Sequence, residues 1–439
     1  MNDPRKQLEN RYNLRRKSIL KSVKDDIVFI SSGIQKFHSR DLEVPFRQDS
    51  DFYYLTGFNE PNSVLVLRGN NKPRSILYLK DRDPLMEQWI GPSLGLKRAR
   101  RRFSIEDIRP IEQLGIDFKE LVHSTKNIHY SLGTNKLLDS LISAHLSSSQ
   151  SPRFNEPAIL KDARLLTAPM RLIKDREEIH LSKRASEITA RSLKELLPFL
   201  SGMKNEKQCA LSLESLFAKY GAQGTSFNTI VAAGKNATTL HHLPSFSPLW
   251  KKELVLIDCG ADFQGYSGDI TRVFPVSGKF STEQADVYDV VKDAVDEACK
   301  KASLGNSLDD IHYAATRALT RGLVDLSILS GNVNQLHAKG AYKPYYMHRT
   351  GHWLGIDVHD ISPNIIRNQS CHSYLMPLEP GMLFTIEPGL YLRSDDKTVP
   401  KSLRGIGIRL EEDILMTAKG SDIISSEIPL DREEIEKLF

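Results

Sequence analysis

Between Leu254 and Glu411 the chain spaces four carboxylates and one imidazole in a pattern that reads as a metal site. Asp258 ends the apolar run Leu254-Val-Leu-Ile, and Asp269 follows in Gly265-Tyr-Ser-Gly-Asp-Ile-Thr-Arg. His352 lies in His348-Arg-Thr-Gly-His-Trp-Leu-Gly-Ile-Asp-Val-His359-Asp360, Glu387 ends Met382-Leu-Phe-Thr-Ile, and Glu411 closes Gly405-Ile-Gly-Ile-Arg409-Leu. Taken singly, an Asp after an apolar strand is usually a turn residue and a lone Glu a solvated one. Together they weigh differently, because strands deliver Asp258 and Glu387 from a buried sheet, where a carboxylate without a partner is expensive. Four oxygen donors and one nitrogen donor, with Cys259 the nearby thiol, suit a hard divalent ion better than a structural zinc. Mn²⁺ is the first reading, with Co²⁺, Fe²⁺ or Zn²⁺ as alternatives. Four carboxylates around one ion would leave excess negative charge, so two divalent ions about 3.5–4 Å apart are expected.

The elements that must hold these groups are legible as runs and periods. Glycines and a serine between the two aspartates suit two strands joined by a tight connection. Alternation along the last strand puts Arg409 and Glu411 on one face and Ile406, Ile408 and Leu410 on the other. Glu412 then falls on the apolar side, which makes Glu411 the ligand. A helix is expected from Asp175 to Leu200, with Ile179, Ala185, Ile188, Leu193 and Leu196 as its buried stripe, and a second from about Glu206 to Tyr220, closed by Gly221. After the aspartate pair, Ser281-Thr-Glu-Gln opens a third with Val287, Val290, Val291, Ala294 and Ala298 inward, and Ser307-Leu-Asp-Asp310 has the form of a capping box before a fourth. Two helices before and two after the first ligands predict a sheet covered on one side by helices. No internal sequence repeat is apparent.

The chain is too long for one core, so two domains are expected. Residues 1–165 read as α/β, with β-type runs at Asp26–Ile30, Ser63–Leu67 and Ser75–Leu79, and no catalytic cluster. The Ser-rich stretch from Ser147 to Pro152 has loop composition and precedes the boundary. No apolar run is long enough to span a membrane, and the amino terminus lacks a signal-type apolar core while its acids argue against a presequence, so the expected compartment is the cytoplasm. Cys209, Cys259, Cys299 and Cys371 are far apart with no C-x-x-C, as expected of reduced thiols. A net charge of +5 raises nucleic acid as a partner, above all through Lys97-Arg-Ala-Arg-Arg-Arg102. Without interleaved aromatics that run is a solvated helix face, and no nucleic-acid partner is expected.

The five ligand segments, in this order and spacing, resemble the aminopeptidase P (Xaa-Pro aminopeptidase) branch of the proline-peptidase, or pita-bread, superfamily. Phe46-Arg-Gln-Asp-Ser-Asp-Phe-Tyr-Tyr-Leu-Thr-Gly-Phe-Asn-Glu60 resembles its amino-terminal domain, so the likeness covers nearly the whole chain. It implies an α/β (α+β) fold: an amino-terminal domain over 1–165 and a creatinase/aminopeptidase-like pita-bread catalytic domain over 166–439. It further implies Asp258, Asp269, His352, Glu387 and Glu411 as ligands of two ions, Asp269 and Glu411 bridging. Glu387 would shuttle a proton, and His359 with His241 would stabilise the oxygen of the tetrahedral intermediate. His348 would line the substrate pocket, with Arg409 and Tyr391 beside it holding the carboxylates. Two positions depart from the family's pattern: His242 stands where an aromatic is common, and Arg349-Thr-Gly replaces Gly-Thr-Ser or Gly-Leu-Ser between the first two histidines. The family's amino-terminal domain assembles oligomers, so a homo-oligomer, dimer or tetramer, is implied, with Trp89 a candidate to border a neighbouring subunit's site.

The reaction implied is metal-dependent removal of one residue from a peptide whose second residue is proline. An X-Pro bond has no amide hydrogen and a restrained neighbouring backbone, so general aminopeptidase sites fit it poorly. A prolidase and a methionine aminopeptidase share the five ligands and remain alternatives, although the latter usually lacks the amino-terminal domain. A non-enzymatic pita-bread binding protein, such as a histone-chaperone module, is disfavoured because every ligand is retained.

Overall fold

The computed structural model describes residues 4–123, 125–148, 159–363 and 374–439. The Ser147 to Pro152 stretch begins at the end of helix Lys136–Ser148 and otherwise lies outside the described residues, as does Cys371; Cys209, Cys259 and Cys299 are free thiols. Two compact units divide between Pro169 and Met170.

In the first unit a mixed sheet runs in the order Asp107–Pro110, Ser75–Leu79, Val64–Arg68, Ile27–Ser31, Asn127–His129, Ile159–Lys161. Every residue of Ser75–Leu79, Val64–Arg68 and Ile27–Ser31 is buried, which is why these strands show as unbroken apolar runs. The 46–60 segment is scaffold. Gln48 Oε1 accepts from Gly33 N at 2.6 Å and its amide donates to the carbonyls of Phe58 and Glu60, both at 3.0 Å. Asp49 caps helix Ser50–Thr56, and Gly57 ends it at φ +61°. The basic run occupies helix Gly95–Arg102, where Gly95 and Ala99 face inward and the Lys and Arg side chains face out.

The second unit is built on two antiparallel ladders, each interrupted once. In the first, Leu254–Cys259 pairs with Ile270–Pro275, and the same two segments pair again beyond the break as Ala261–Phe263 with Tyr266–Ser267. The connection between the two aspartates is, as expected, two strands joined by a tight turn, at Gln264-Gly265, with the ladder interrupted once on the way. At the break the two backbones approach so closely that only glycine fits: a Cβ on Gly260 would stand 1.8 Å from the carbonyl oxygen of Gly268. In the second ladder, Leu383–Ile386 pairs with Glu412–Thr417 and Gly389–Leu392 with Ile406–Arg409. The strand that the sequence reads straight through to Glu411 thus stops at Arg409. Opposite the gap, Pro388 has no N–H to give. The N–H of Glu411 goes to Thr271 O at 3.1 Å and that of Glu387 to Thr350 O at 2.7 Å.

Arg272, fully buried, ties the two ladders together by donating to the Oε1 of Glu412 at 2.9 Å and to the carbonyl of Ile428 at 2.8 Å. That explains how Glu412 is tolerated on the inward side that alternation assigns to it. Around the ladders lie helices Arg176–Leu200, Glu206–Lys219, Thr282–Lys301 and Leu308–Asp325. Asp175 with Glu178, Ser281 with Gln284, and Ser307 with Asp310 form capping boxes on three of them. Thr189 Oγ1 accepts the N–H of Ala261 at 2.9 Å, fastening the first ladder's outer hairpin to the first helix.

Candidate metal centre

The ligand candidates gather at the two interruptions. Asp258 lies two residues before Gly260, and Asp269 one after Gly268. Glu387 and Glu411 occupy the second gap itself, outside the strands that flank it. One ligand atom each from Asp269, His352 and Glu411 lies within 4.8 Å of the others. His352 Nε2 stands 3.4 Å from Asp269 Oδ2 and 3.8 Å from Glu387 Oε1. Its Nδ1 donates to Trp353 O at 3.0 Å, which leaves Nε2 as the unprotonated nitrogen facing the acids.

The acids are crowded and dry. Burial first, and then the charge of Glu411, hold the carboxyls of Asp269 and Glu387 well above the ordinary carboxylate range. Burial followed by Asp258 pushes Glu411 up to about 7. Asp258 alone has a cation, Arg409, whose Nη2 is 2.5 Å from Oδ2; its other oxygen, Oδ1, is buried with no hydrogen-bond partner. Thr271 Oγ1 donates to Glu411 Oε2 at 2.6 Å. An orphaned carboxylate oxygen, a lone imidazole nitrogen and repelling acids fit bound divalent cations, which would satisfy all three.

Behind the acids runs a fixed relay of hydrogen bonds. Arg409 Nη1 donates to Tyr391 Oη at 3.1 Å, and Tyr391 Oη lies 2.7 Å from His348 Nε2, whose other nitrogen is 2.8 Å from Arg349 O. His348 Nδ1 is also 3.8 Å from Glu387 Oε2. His359 packs edge-on against His352, ring centroids 4.3 Å apart. Desolvation, then the nearby His352 and His241, lower its pKa to about 4, so it is a neutral N–H donor at neutral pH. Burial first, and then the charge of Arg409, lower the pKa of His348 to about 4. His242 turns away: its Nε2 lies 2.8 Å from Glu206, a fully buried carboxylate that also accepts from Ala233 N, Asn236 and Ser245.

Sequence reasoning missed Thr271 and Asp413. Asp413 Oδ2 accepts the N–H of Asp269 at 3.3 Å, and its carboxyl is raised by burial and by Glu411. Both stand two residues beyond a ligand, Asp269 and Glu411, so period-two alternation was the available signal. Arg349, in the segment that departs from the family's pattern, has partners of its own. It pairs with Asp309 at 2.7 Å and lies 4.4 Å over the Tyr374 ring.

Comparison with known proteins agrees in extent with both units. Residues 180–418 match the model of metallopeptidase family M24, and residues 12–129 that of the aminopeptidase P N-terminal domain. The chain is 37% identical over 413 residues to the Xaa-Pro aminopeptidase of Haemophilus influenzae, covering 94% of this chain and 93% of that protein. Among solved structures it is similar to Escherichia coli aminopeptidase P with the inhibitor Pro-Leu, at TM-score 0.91 and 33% identity over 98% of each chain. It is also similar to proline aminopeptidase P II from Yersinia pestis, at TM-score 0.90 and 35% identity over 98% of this chain and 99% of that one.

Proposed function

Because the chain belongs to metallopeptidase family M24, we propose that it releases the first residue of peptides that carry proline in second position. It is a hydrolase with peptide substrates, dependent on divalent metal, and its second unit has the pita-bread fold. The observation that carries the reading is the buried convergence of Asp269, His352 and Glu411, with the partnerless Asp258 Oδ1 and Glu387 beside them.

In this proposal Asp258, Asp269, His352, Glu387 and Glu411 would hold two divalent ions, Mn²⁺ by preference. When bound, such ions activate water and polarise the scissile carbonyl. Glu387 takes the proton from the attacking water at a side-chain oxygen and delivers it to the proline nitrogen as the bond breaks. His359, neutral near pH 7, donates an N–H to the carbonyl oxygen as charge develops there, and His241 acts from the other side. Arg409 fixes Asp258, while Tyr391 and His348 keep Arg409 in place and line the proline pocket.

A prolidase needs a fixed cation for the carboxylate that follows proline. Arg349, beside His348, would be such a cation, but it pairs with Asp309 and lies over the Tyr374 ring, which supports the aminopeptidase reading. We place the activity in the cytoplasm, in keeping with the absence among the described residues of a helix long and apolar enough to cross a membrane. The first unit, over about 1–165, we assign to homo-oligomer assembly. Leu85, Met86, Trp89 and Ile90 are exposed together there, Trp89 at 84%, which supports that role. Cleavage of matched Ala-Ala-Ala, Met-Ala-Ala, Ala-Pro and Ala-Pro-Ala peptides by Mn²⁺-loaded protein tests the function. Ala-Pro-Ala should be cut best, releasing a single Ala; a preference for Ala-Pro would move the chain to the prolidases, and for Met-Ala-Ala to the methionine aminopeptidases.

A further inference from the structure

A second buried charge cluster lies behind the two histidines and plays no part in the chemistry above. Asp360 Oδ1 accepts from Arg171 Nη2 at 2.5 Å and its Oδ2 from Lys174 Nζ at 3.0 Å. Arg171 Nη2 also reaches Asp357 Oδ2 at 2.7 Å. Arg171, Lys174 and Asp360 are all buried. Each oxygen of Asp360 therefore has its own cation, and the carboxylate plane cannot turn without breaking one pair.

The chain from Trp353 to Asp360 folds tightly around that carboxylate. Gly355 N donates to Asp357 O at 3.1 Å, and a Cβ on Gly355 would stand 2.2 Å from Asp360 Oδ2. The decisive contact is at the carbonyl of Trp353, which accepts Asp360 N–H at 2.8 Å and the Nδ1–H of His352 at 3.0 Å. One oxygen thus closes the loop and selects the tautomer of the imidazole whose Nε2 faces Asp269. His359 stands one residue before Asp360 and packs its ring on that same imidazole.

We propose that Asp360, gripped by Arg171 and Lys174, is a positioning residue: it sets the Trp353 carbonyl, and through it the tautomer of His352 and the stance of His359. The role rests on the metallopeptidase reading for its effect on turnover, but its effect on metal binding stands apart from any substrate. A metal-ligating imidazole depends on the group that holds its second nitrogen, and loss of such support typically costs about 10–100-fold in metal affinity or activity.

The test uses the full chain with Lys174→Met, Lys174→Arg and Asp360→Asn. Mn²⁺ affinity by equilibrium dialysis, thermal unfolding, and kcat and KM on Ala-Pro-Ala are measured for each. Lys174→Met should weaken Mn²⁺ binding about 10-fold and lower kcat by a similar factor with KM nearly unchanged. Lys174→Arg should recover most of both, and Asp360→Asn should lose more, toward about 100-fold. The proposal is overturned if Lys174→Met and Asp360→Asn bind Mn²⁺ and turn over like wild type. It is equally overturned if activity per folded molecule is unchanged, which would make the cluster a fold element only. Should wild type itself fail to cut Ala-Pro-Ala, the proposed function falls, and Mn²⁺ affinity still decides the role of Asp360.

Discussion

The two interrupted ladders do the same job by different means. In the first, glycines leave no room for a side chain at the break, and the acids flank it: Asp258 stays within its strand and Asp269 just outside. In the second, the acids are the break, and their backbone N–H groups cross to Thr271 and Thr350. The electrostatics follow the geometry. Asp258 pairs with Arg409, a residue of the other ladder, whereas Asp269 of the first ladder and Glu387 and Glu411 of the second crowd together and have raised pKa values. A bound cation would therefore relieve repulsion among acids of both ladders, while Asp258 is already held in place by Arg409.

Breaking the second ladder's acids should have the largest effect. Glu411→Gln removes a charge from the proposed metal site and is expected to lower both Mn²⁺ occupancy and kcat by about 100-fold or more; metal analysis with unchanged content and full activity would refute it. His359→Ala should separate chemistry from scaffold, with near-normal metal content and kcat lower by about 100-fold. A loss of metal as large as in His352→Ala would show the roles to be wrongly divided.

Protonation sharpens the contrast in metal-stripped protein. The carboxyl of Glu411 is raised to about 7 in the folded state, above its unfolded value, so it contributes stability below the unfolded pKa that is lost as pH rises through about 7. The stripped protein should therefore have a lower Tm at pH 8 than at pH 5, and Mn²⁺ should restore the difference. Its apparent Mn²⁺ affinity should fall as pH drops below about 7, because a proton must leave for the ion to bind. A flat Tm in the stripped protein would count against the crowding of these acids.

The breaks themselves give the smaller effects. Gly260→Ala forces a Cβ onto the Gly268 carbonyl and should cost about 1–3 kcal/mol, read as a lowered Tm. Pro388→Ala should change stability by less than about 1 kcal/mol, since the neighbouring N–H groups of Glu387 and Glu411 are satisfied outside the ladder. Equal costs at both positions would mean that the breaks have one origin.

Much of this was legible because acids at the ends of apolar runs and caps before amphipathic helices are local signals. Asp175, Ser281 and Ser307 cap where their spacing predicts. The two strands and tight turn between the aspartates were legible from the glycines; the interruption of that ladder near Gly260 was not, since nothing local distinguishes a continuous hairpin from one that breaks and resumes. The strand ending at Arg409 read through the gap because Leu410 keeps the alternation. Two adjacent histidines cannot be told apart by type; the buried Glu206 that captures His242 comes from a separate helix. Nothing local marks Asp360, because its cations arrive from a distant segment, Arg171 and Lys174.

The account stands most directly on one titration: Mn²⁺ added back to stripped protein while Ala-Pro-Ala cleavage and bound metal are followed together. Activity should be absent without metal, rise with occupancy and level off at two ions per chain, with free Ala the only amino-terminal product. Full cleavage by metal-free protein, or stoichiometric metal binding with no release of Ala, would contradict it.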